Sequence, residues 1–122
     1  MIEEIVFIYN AKSGLFNAFL DFSHKIISPK TYECKLCAIT YNNFGKEKKW
    51  RAYLKSLDFK KTFYYADNLS SINYINADTK MPCIFLKRKN KYQLIIDSNE
   101  LNTFKNVDVL IDRISDIIDS NE

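Results

Sequence analysis

The feature that most constrains the fold is a continuous apolar run near the start of the chain. Residues 4–9 read Glu-Ile-Val-Phe-Ile-Tyr, with no polar side chain from Ile5 to Ile8. A short run of β-branched and aromatic residues without polar alternation predicts a strand that is buried on both faces. Such a strand belongs in the middle of a sheet that other elements cover on each side.

Downstream of this strand, the sequence alternates between patterns typical of helices and of strands. Asn10–Gly14 breaks the first strand, and Met81-Pro82 introduces a later apolar run that returns on itself as a hairpin. The predicted elements in order are a strand over 4–9, an amphipathic helix over 15–27, a strand over 34–41, a helix over 46–57, a strand over 59–66, a hairpin over 83–96 with its turn at 87–91, and a helix over 107–118.

This order predicts a single α/β domain over residues 1–122. A strand, helix, strand start requires a parallel pair of strands with a right-handed crossover, whereas the C-terminal hairpin adds antiparallel strands. We therefore expect a mixed central sheet with a βαβ start, a C-terminal β-hairpin and helix, and helices on both faces. A chain of 122 residues is long enough to bury such a core without disulfide bonds or a metal.

The order of elements resembles that of the thioredoxin fold. The resemblance covers most of the chain and includes Met81-Pro82 ahead of a buried strand. It implies that the peptide bond before Pro82 is cis and that this proline stands beside an active-site loop. The sequence departs from the family at one place, because thioredoxins carry Cys-x-x-Cys directly after the first strand and this chain has Asn10–Gly14 there. The resemblance therefore implies the fold, and ordinary thioredoxin chemistry does not follow from it.

At a finer level, a set of short motifs resembles an uncharacterised family of small bacterial proteins. That resemblance implies a thioredoxin-like fold and carries over no mechanism. The motifs are Tyr9-Asn-Ala-Lys-Ser-Gly14, His24-Lys25, Ser28-Pro29, Tyr32 and Cys34-Lys-Leu-Cys37.

Composition and charge argue against several classes of protein. The net charge of +3, from 18 basic and 15 acidic residues, is too small to indicate a nucleic-acid-binding surface. No apolar run approaches the roughly 20 residues that a membrane-spanning helix needs. The N-terminal residues also lack the basic region, long apolar region and cleavage site of a signal peptide. We therefore expect a cytoplasmic protein that binds neither nucleic acid nor a membrane.

The residues with the clearest capacity for chemistry are His24, Cys34 and Cys37. Two thiolates in Cys-x-x-Cys spacing can bind one zinc ion. The predicted βαβ unit brings the end of the first helix, which carries His24, next to the start of the following strand. A fourth ligand is missing, because Cys83 is expected at the opposite pole of the sheet. A carboxylate, a water molecule or a second chain would have to complete the zinc site.

The same cysteines allow two other interpretations. Cys34 and Cys37 could form a reversible disulfide in a thiol–disulfide oxidoreductase, although residues three apart on a strand tend to point to opposite faces. Alternatively, both cysteines pack as small apolar residues, and His24 is a helix-surface residue without a ligand. The odd number of cysteines, three, argues against a structural disulfide framework. The sequence leaves the zinc, redox and packing roles open.

A second candidate site is a corner at one end of the predicted sheet. The turn before the first predicted helix offers free backbone N–H groups and one lysine charge, which suit a small anion or a partner protein. The later Met-Pro segment is expected to face this turn. A non-enzymatic docking module built on this corner is therefore a further interpretation of the chain. The residues of the corner are Asn10, Lys12, Ser13, Gly14, Met81 and Pro82.

Overall fold

The fold is given by a computed structural model that describes residues 1–11, 35–42 and 45–121. The elements in chain order are β1 (Ile2–Ile8), α1 (Lys35–Thr40), β2 (Tyr41–Asn42), β3 (Gly45–Lys46), α2 (Lys48–Ser56), β4 (Lys60–Tyr64), β5 (Cys83–Arg88), β6 (Lys91–Ile96), α3 (Ser98–Leu101) and α4 (Val107–Ser120). The helix that the sequence predicts over 15–27 lies outside the described residues.

A four-stranded mixed sheet organises these elements. The strand order is β4-β1-β5-β6, so the N-terminal strand is central. β1 runs parallel to β4 and antiparallel to β5, and β5 runs antiparallel to β6. β2 and β3 form a separate two-stranded ribbon. The expectation of an α/β chain with a mixed central sheet is therefore confirmed.

β1 is buried on both faces, as its apolar run predicts. Successive side chains of a strand point to opposite faces. Ile5 and Phe7 accordingly join one core cluster, which we call cluster 1, whereas Val6 and Ile8 join another, which we call cluster 2. The sheet thus separates two cores, and each apolar side chain of β1 belongs to one or the other.

Different parts of the chain pack over the two clusters. Cluster 1 contains residues of α1, α2 and α4, including Trp50, whose fully buried indole meets the ring of Phe7 edge to face at 5.2 Å. Cluster 2 is covered by the segment between β4 and β5, where Tyr74 stacks on Tyr92 with ring centroids 3.9 Å apart. Within the described ranges, helices contribute to cluster 1 only.

The two longer helices pack against the sheet through apolar faces with helical spacing. In α2 the buried residues Trp50 and Leu54 lie four apart, and α4 buries Leu110 and Ile114 in the same way. At the C-terminal end of α2, the ammonium of Lys61 donates hydrogen bonds to the carbonyls of Leu54 and Leu57. The predictions of helices over 46–57 and 107–118 are confirmed, with α4 extending to Ser120.

The prediction of a strand over 34–41 is wrong. Lys35–Thr40 forms the helix α1, and only Tyr41–Asn42 is extended. In α1 the side chains of Leu36, Cys37 and Thr40 are buried and Ala38 is exposed. That pattern has helical spacing, whereas a strand would alternate at every second residue. The parallel partner of β1 is therefore the later strand β4.

The C-terminal hairpin is confirmed, with a tighter turn than expected. Lys89 and Asn90 alone connect β5 to β6, and both have positive φ, 50° and 64°. Positive φ at both central residues is typical of the two-residue turns that match the twist of the strands. A register shift opposite Ile84 and Phe85 interrupts the pairing near the end of β6. The peptide bond between Met81 and Pro82, which leads into β5, is cis.

Candidate functional site

The candidate site lies where β1 and β4 end together. Because the two strands are parallel, their C-terminal ends meet at one edge of the sheet. The chain leaves β1 through Tyr9, whose backbone N–H donates to the carbonyl of Tyr64 at 2.9 Å. Two residues later, the carbonyl of Ala11 accepts a hydrogen bond from the N–H of Ala66 at 3.0 Å. The chain beyond β1 is thus held against the chain beyond β4.

Helix α1 carries Cys37 into cluster 1. The Cys37 side chain is 2% exposed and shares the buried face of α1 with Leu36 and Thr40. The hydroxyl of Thr40 donates to the carbonyl of Leu36 at 2.6 Å, which satisfies that carbonyl at the end of the helix. Cys37 is therefore held on a hydrogen-bonded turn inside the core rather than on a solvent-facing loop.

The two cysteines that lie within the described residues, Cys37 and Cys83, differ in bonding and position. Cys37 is disulfide-bonded, whereas Cys83 is a free, fully buried thiol in cluster 2. Burial raises the pKa of Cys83 from its ordinary value of 9.0 to about 12. The Cys83 thiol therefore stays protonated and a poor nucleophile at neutral pH.

The expectation that Cys83 lies at the opposite pole from Cys37 is wrong. Cys83 pairs with Ile8, at the C-terminal end of β1. Tyr41, which directly follows α1, contacts Tyr9 at the same end, with ring centroids 6.2 Å apart. The two cysteines belong to different clusters, so the thickness of the sheet separates them instead of its length.

A tyrosine with a buried phenol links β1 to the helix that carries Cys37. Tyr9 is fully buried, and its ring stacks against Tyr65 and Phe63 with centroids 5.6 and 6.1 Å apart. Burial raises the pKa of Tyr9 well above its ordinary value, and the nearby Tyr41 raises it further, while the Thr40 side chain acts in the opposite direction. The Tyr9 phenol is thus a permanently neutral polar group beside α1.

A partly buried lysine belongs to the same region. Lys46 lies in β3, opposite Tyr41, and its ammonium stands over the ring of Phe63 at 4.3 Å from the centroid. Burial lowers the pKa of Lys46 from its ordinary value. An ammonium on an aromatic face gains a cation–π contact, which offsets part of the cost of removing it from water. Sequence reasoning missed Tyr9 and Lys46 as site residues, and only the aromatic end of the first apolar run hinted at Tyr9.

The predicted metal site falls largely beyond the described residues. His24 and Cys34 lie outside the described ranges, and only Cys37 is placed. Within the described ranges, no three histidine, cysteine, aspartate or glutamate side chains are grouped closely enough to hold a metal ion. A sulfur in a disulfide has no thiolate to offer, so zinc binding at Cys37 would require the disulfide to be reduced first.

The predicted anion or partner corner is placed in part. Lys12, Ser13 and Gly14 lie outside the described residues. Asn10 is half-buried just beyond β1, and the pairing of Ile8 with Cys83 puts the Met-Pro segment at the same end of the sheet. In that segment Pro82 is buried and Met81 packs against cluster 2. The described residues of the corner, Asn10, Met81 and Pro82, therefore lie at the same end of the sheet.

A separate open groove lies between the 76–80 segment and the end of β6. Its volume is about 370 Å³, at the small end of the range for ligand-binding pockets. Leu94 is the one large apolar residue in a lining that is otherwise polar. Nothing in this lining resembles a catalytic arrangement, and the groove is distinct from the Cys37 region.

Two further observations bear on what kind of protein this is. Within the residues that the structure describes, no helix has the length and apolar character that crossing a bilayer requires. No protein-family model matches the chain, and comparisons with curated proteins and with solved structures gave no match either.

Proposed function

We propose that this protein is a thioredoxin-like thiol–disulfide oxidoreductase that uses Cys34 and Cys37 as a reversible redox pair. The observation that carries the proposal is the bonding state of the cysteines. Cys37 is disulfide-bonded and Cys83 is free. Since the sequence contains three cysteines, we assign Cys34 as the partner of Cys37.

The helical conformation of α1 supports this pairing. On a strand, residues three apart point away from each other, which was the main argument against a disulfide within Cys-x-x-Cys. On a helix, residues three apart lie on the same face. Cys34 directly precedes α1 and Cys37 is its third residue. The spacing thus suits a disulfide across the first turn of this helix.

The topology of the sheet supports a thioredoxin-like arrangement. The parallel pairing of β1 with β4, followed by the antiparallel hairpin β5–β6, is the order of strands that the resemblance implies. The position of the dithiol is the departure from that family, because here it follows a long segment after β1 instead of following β1 directly. We therefore propose the fold and the redox chemistry together, with the dithiol carried on α1.

The burial of Cys37 assigns different roles to the two sulfurs. Attack on a substrate requires an accessible thiolate, and the Cys37 side chain is almost completely buried. In the proposed cycle, the Cys34 thiolate attacks the substrate disulfide and releases one substrate thiol. The Cys37 thiol then loses its proton and attacks Cys34 in the mixed disulfide, releasing the second substrate thiol. The protein ends with the intramolecular disulfide, and the substrate has gained two electrons and two protons.

The surroundings of Cys37 suit this cycle. The neutral Tyr9 phenol and the Thr40 hydroxyl add polarity beside α1 without adding a negative charge that would repel a thiolate. Lys46 contributes a positive charge in the strand pair that follows α1.

The proposal is tested by the reduction of a disulfide substrate, such as insulin, in the presence of dithiothreitol. Cys34→Ser should abolish the activity, and Cys37→Ser should trap a mixed disulfide with the substrate. Cys83→Ser is the matched control, because it removes a buried thiol on the other face of the sheet, and it should leave the activity unchanged. Equal activity in the Cys34→Ser variant would rule the proposal out.

Elemental analysis of the same preparations distinguishes the redox proposal from the metal-binding alternative. One zinc ion per chain in the wild type, lost in Cys34→Ser or His24→Ala, would support a zinc site of His24, Cys34 and Cys37. If the wild type also had no disulfide reductase activity, this zinc site would replace the proposed redox pair. Absence of both activity and metal would leave the Asn10–Gly14 and Met81-Pro82 corner as a docking surface to be tested by pull-down.

A further inference from the structure

The connection between β4 and β5 is long and irregular. It runs over residues 65–82, which we call the strap, and it contains no helix or strand. Connections of this length without secondary structure are uncommon in compact domains and often serve as lids or binding loops. The strap lies over cluster 2, on the face of the sheet to which no described helix contributes. The contacts that hold the strap in place therefore decide how it can move.

The hydrogen bonds of the strap are mostly local. Its start is tied to the chain beyond β1, because the N–H of Ala66 donates to the carbonyl of Ala11 at 3.0 Å. From Asn68 to Lys80, every hydrogen bond among the described residues joins two residues of the strap. The two ion pairs of the described chain lie elsewhere. Within the part of the chain that the structure describes, no hydrogen bond or ion pair fixes this stretch to the sheet.

Apolar side chains hold the strap on the sheet instead. The strap residues that pack against cluster 2 all keep part of their surface exposed, and they are Leu69, Ile72, Tyr74, Ile75 and Met81. The ring of Tyr74 stacks on Tyr92 with centroids 3.9 Å apart and meets Phe85 edge to face at 5.0 Å. Tyr74 is therefore the aromatic anchor of the strap on cluster 2.

The strap stops short of covering the whole face. Leu94 pairs with Phe85, a residue of cluster 2, and so lies on the same face of the sheet. The Leu94 side chain is nevertheless 43% exposed. The open groove of about 370 Å³ lies between it and strap residues 76–80. None of residues 76–80 packs against cluster 2, so this part of the strap adds little apolar contact with the sheet.

The free thiol of Cys83 lies beneath the strap. Its side chain is fully buried in cluster 2. Burial raises the pKa of Tyr74, and Cys83 is one of the nearby groups that raise it further, which places the anchor of the strap close to this thiol. A reagent in solution reaches Cys83 only when the side chains above it have moved away.

We propose that the strap is a lid that opens as a unit while the sheet and cluster 1 stay folded, and that its opening controls access to Cys83 and the apolar face around it. A segment held by few apolar contacts opens at a lower free energy than the whole protein unfolds. The hydrogen bonds from Asn68 to Lys80 favour such opening, because the partners move together with the strap. The strap covers the opposite face of the sheet from Cys37, so this proposal does not depend on the redox proposal.

The proposal is tested by following the alkylation of Cys83 with N-ethylmaleimide, using peptide mass spectrometry to identify the labelled cysteine. Where the rate is proportional to the reagent concentration, it reports the population of the open form. Alkylation should be faster than the population of globally unfolded protein allows. It should also rise less steeply with urea than global unfolding does, because the open strap exposes only part of the buried surface. Alkylation with the population and urea dependence of global unfolding would overturn the proposal.

Two substitutions distinguish opening of the strap from global unfolding. Tyr74→Ala removes the aromatic anchor and should raise the alkylation rate of Cys83 by about tenfold or more. Tyr53→Ala is the matched control, because it truncates another half-buried tyrosine that packs against cluster 1, which stays folded in the open form. It should lower the free energy of global unfolding and leave the alkylation rate unchanged. No acceleration in Tyr74→Ala, or accelerations in both variants that match their losses of global stability, would contradict the lid.

Discussion

Glu4 shows how the central strand accommodates a carboxylate within its buried stretch. Its side chain is 7% exposed and lies on the same face of β1 as Val6. The carboxylate accepts hydrogen bonds from the hydroxyl groups of Thr62, on β4, and of Tyr92, on β6, the latter at 2.9 Å. Two hydroxyl donors from other strands of the sheet thus replace the water that burial removes.

The loss of this acceptor should be costly. Glu4→Ala leaves the hydroxyl groups of Thr62 and Tyr92 without their partner, and we expect it to lower the free energy of unfolding by about 3 kcal/mol. Tyr92→Phe removes one donor and leaves the other in place, so it should cost about 1 kcal/mol. Urea denaturation measures both changes. A Glu4→Ala variant no less stable than Tyr92→Phe would contradict the role of this carboxylate.

The buried Cys83 thiol should make stability depend on alkaline pH. Its pKa is raised by burial to about 12 in the folded protein, whereas in the unfolded chain it returns to the ordinary value of 9.0. The thiol therefore contributes stability that is fully present below pH 9.0 and is lost progressively as the pH rises toward 12. Above pH 9.0, the urea midpoint of the wild type should fall more steeply than that of Cys83→Ala. Parallel pH profiles for the two proteins would show that Cys83 ionises equally in both states.

At the scale of single elements, the hairpin turn contains a residue with an unfavourable backbone conformation, and a substitution there should stabilise the protein. Lys89 has φ of 50°, a conformation that a residue with a Cβ atom adopts at a cost of about 1 kcal/mol unless it is asparagine or aspartate. Lys89→Asn should therefore stabilise the protein by up to about 1 kcal/mol. The neighbouring Asn90→Ala should do the opposite, because it loses the residue type that tolerates its φ of 64°. Thermal denaturation tests both, and a destabilised Lys89→Asn would contradict the assigned turn.

The elements also show what sequence patterns could and could not predict. The helices α2 and α4 were predicted because their apolar spacing fits the helical period, whereas β1 and the hairpin were predicted because their apolar runs are rich in β-branched and aromatic residues and are bounded by turn sequences. The segment from Leu36 to Thr40 was misassigned because a short apolar run fits both a strand and one helical turn. The short helix α3 was missed, although Asp97 and Glu100 have the spacing of a helix-capping pair, and the Glu100 N–H does bond to Asp97.

The sequence identified the cysteines of the candidate site but did not predict how the site is arranged in space. The Cys-x-x-Cys motif was identified from the sequence alone. The misassigned strand then made a disulfide look unfavourable and a zinc site look better. The neighbours Tyr9 and Lys46 come from elements distant in sequence, and only the parallel pairing of β1 with β4 and the β2–β3 ribbon bring them into this region.

At the scale of the whole molecule, the redox state should change stability. A disulfide in a short loop restricts the unfolded chain and contributes roughly 2 kcal/mol. Oxidised wild-type protein should therefore have a higher urea midpoint than reduced protein, and Cys83→Ser should keep that difference. Cys37→Ser should show no difference between oxidising and reducing buffers. A wild type with the same midpoint in both buffers would contradict a stabilising disulfide within the folded chain.

The central claim is most directly tested by counting free thiols in glutathione buffers of graded potential, by alkylating the unfolded protein and measuring its mass. We predict a single two-electron transition, from three alkylated cysteines under reducing conditions to one, Cys83, under oxidising conditions. Three alkylated cysteines even in the most oxidising buffer would contradict the proposal that Cys34 and Cys37 form a redox pair.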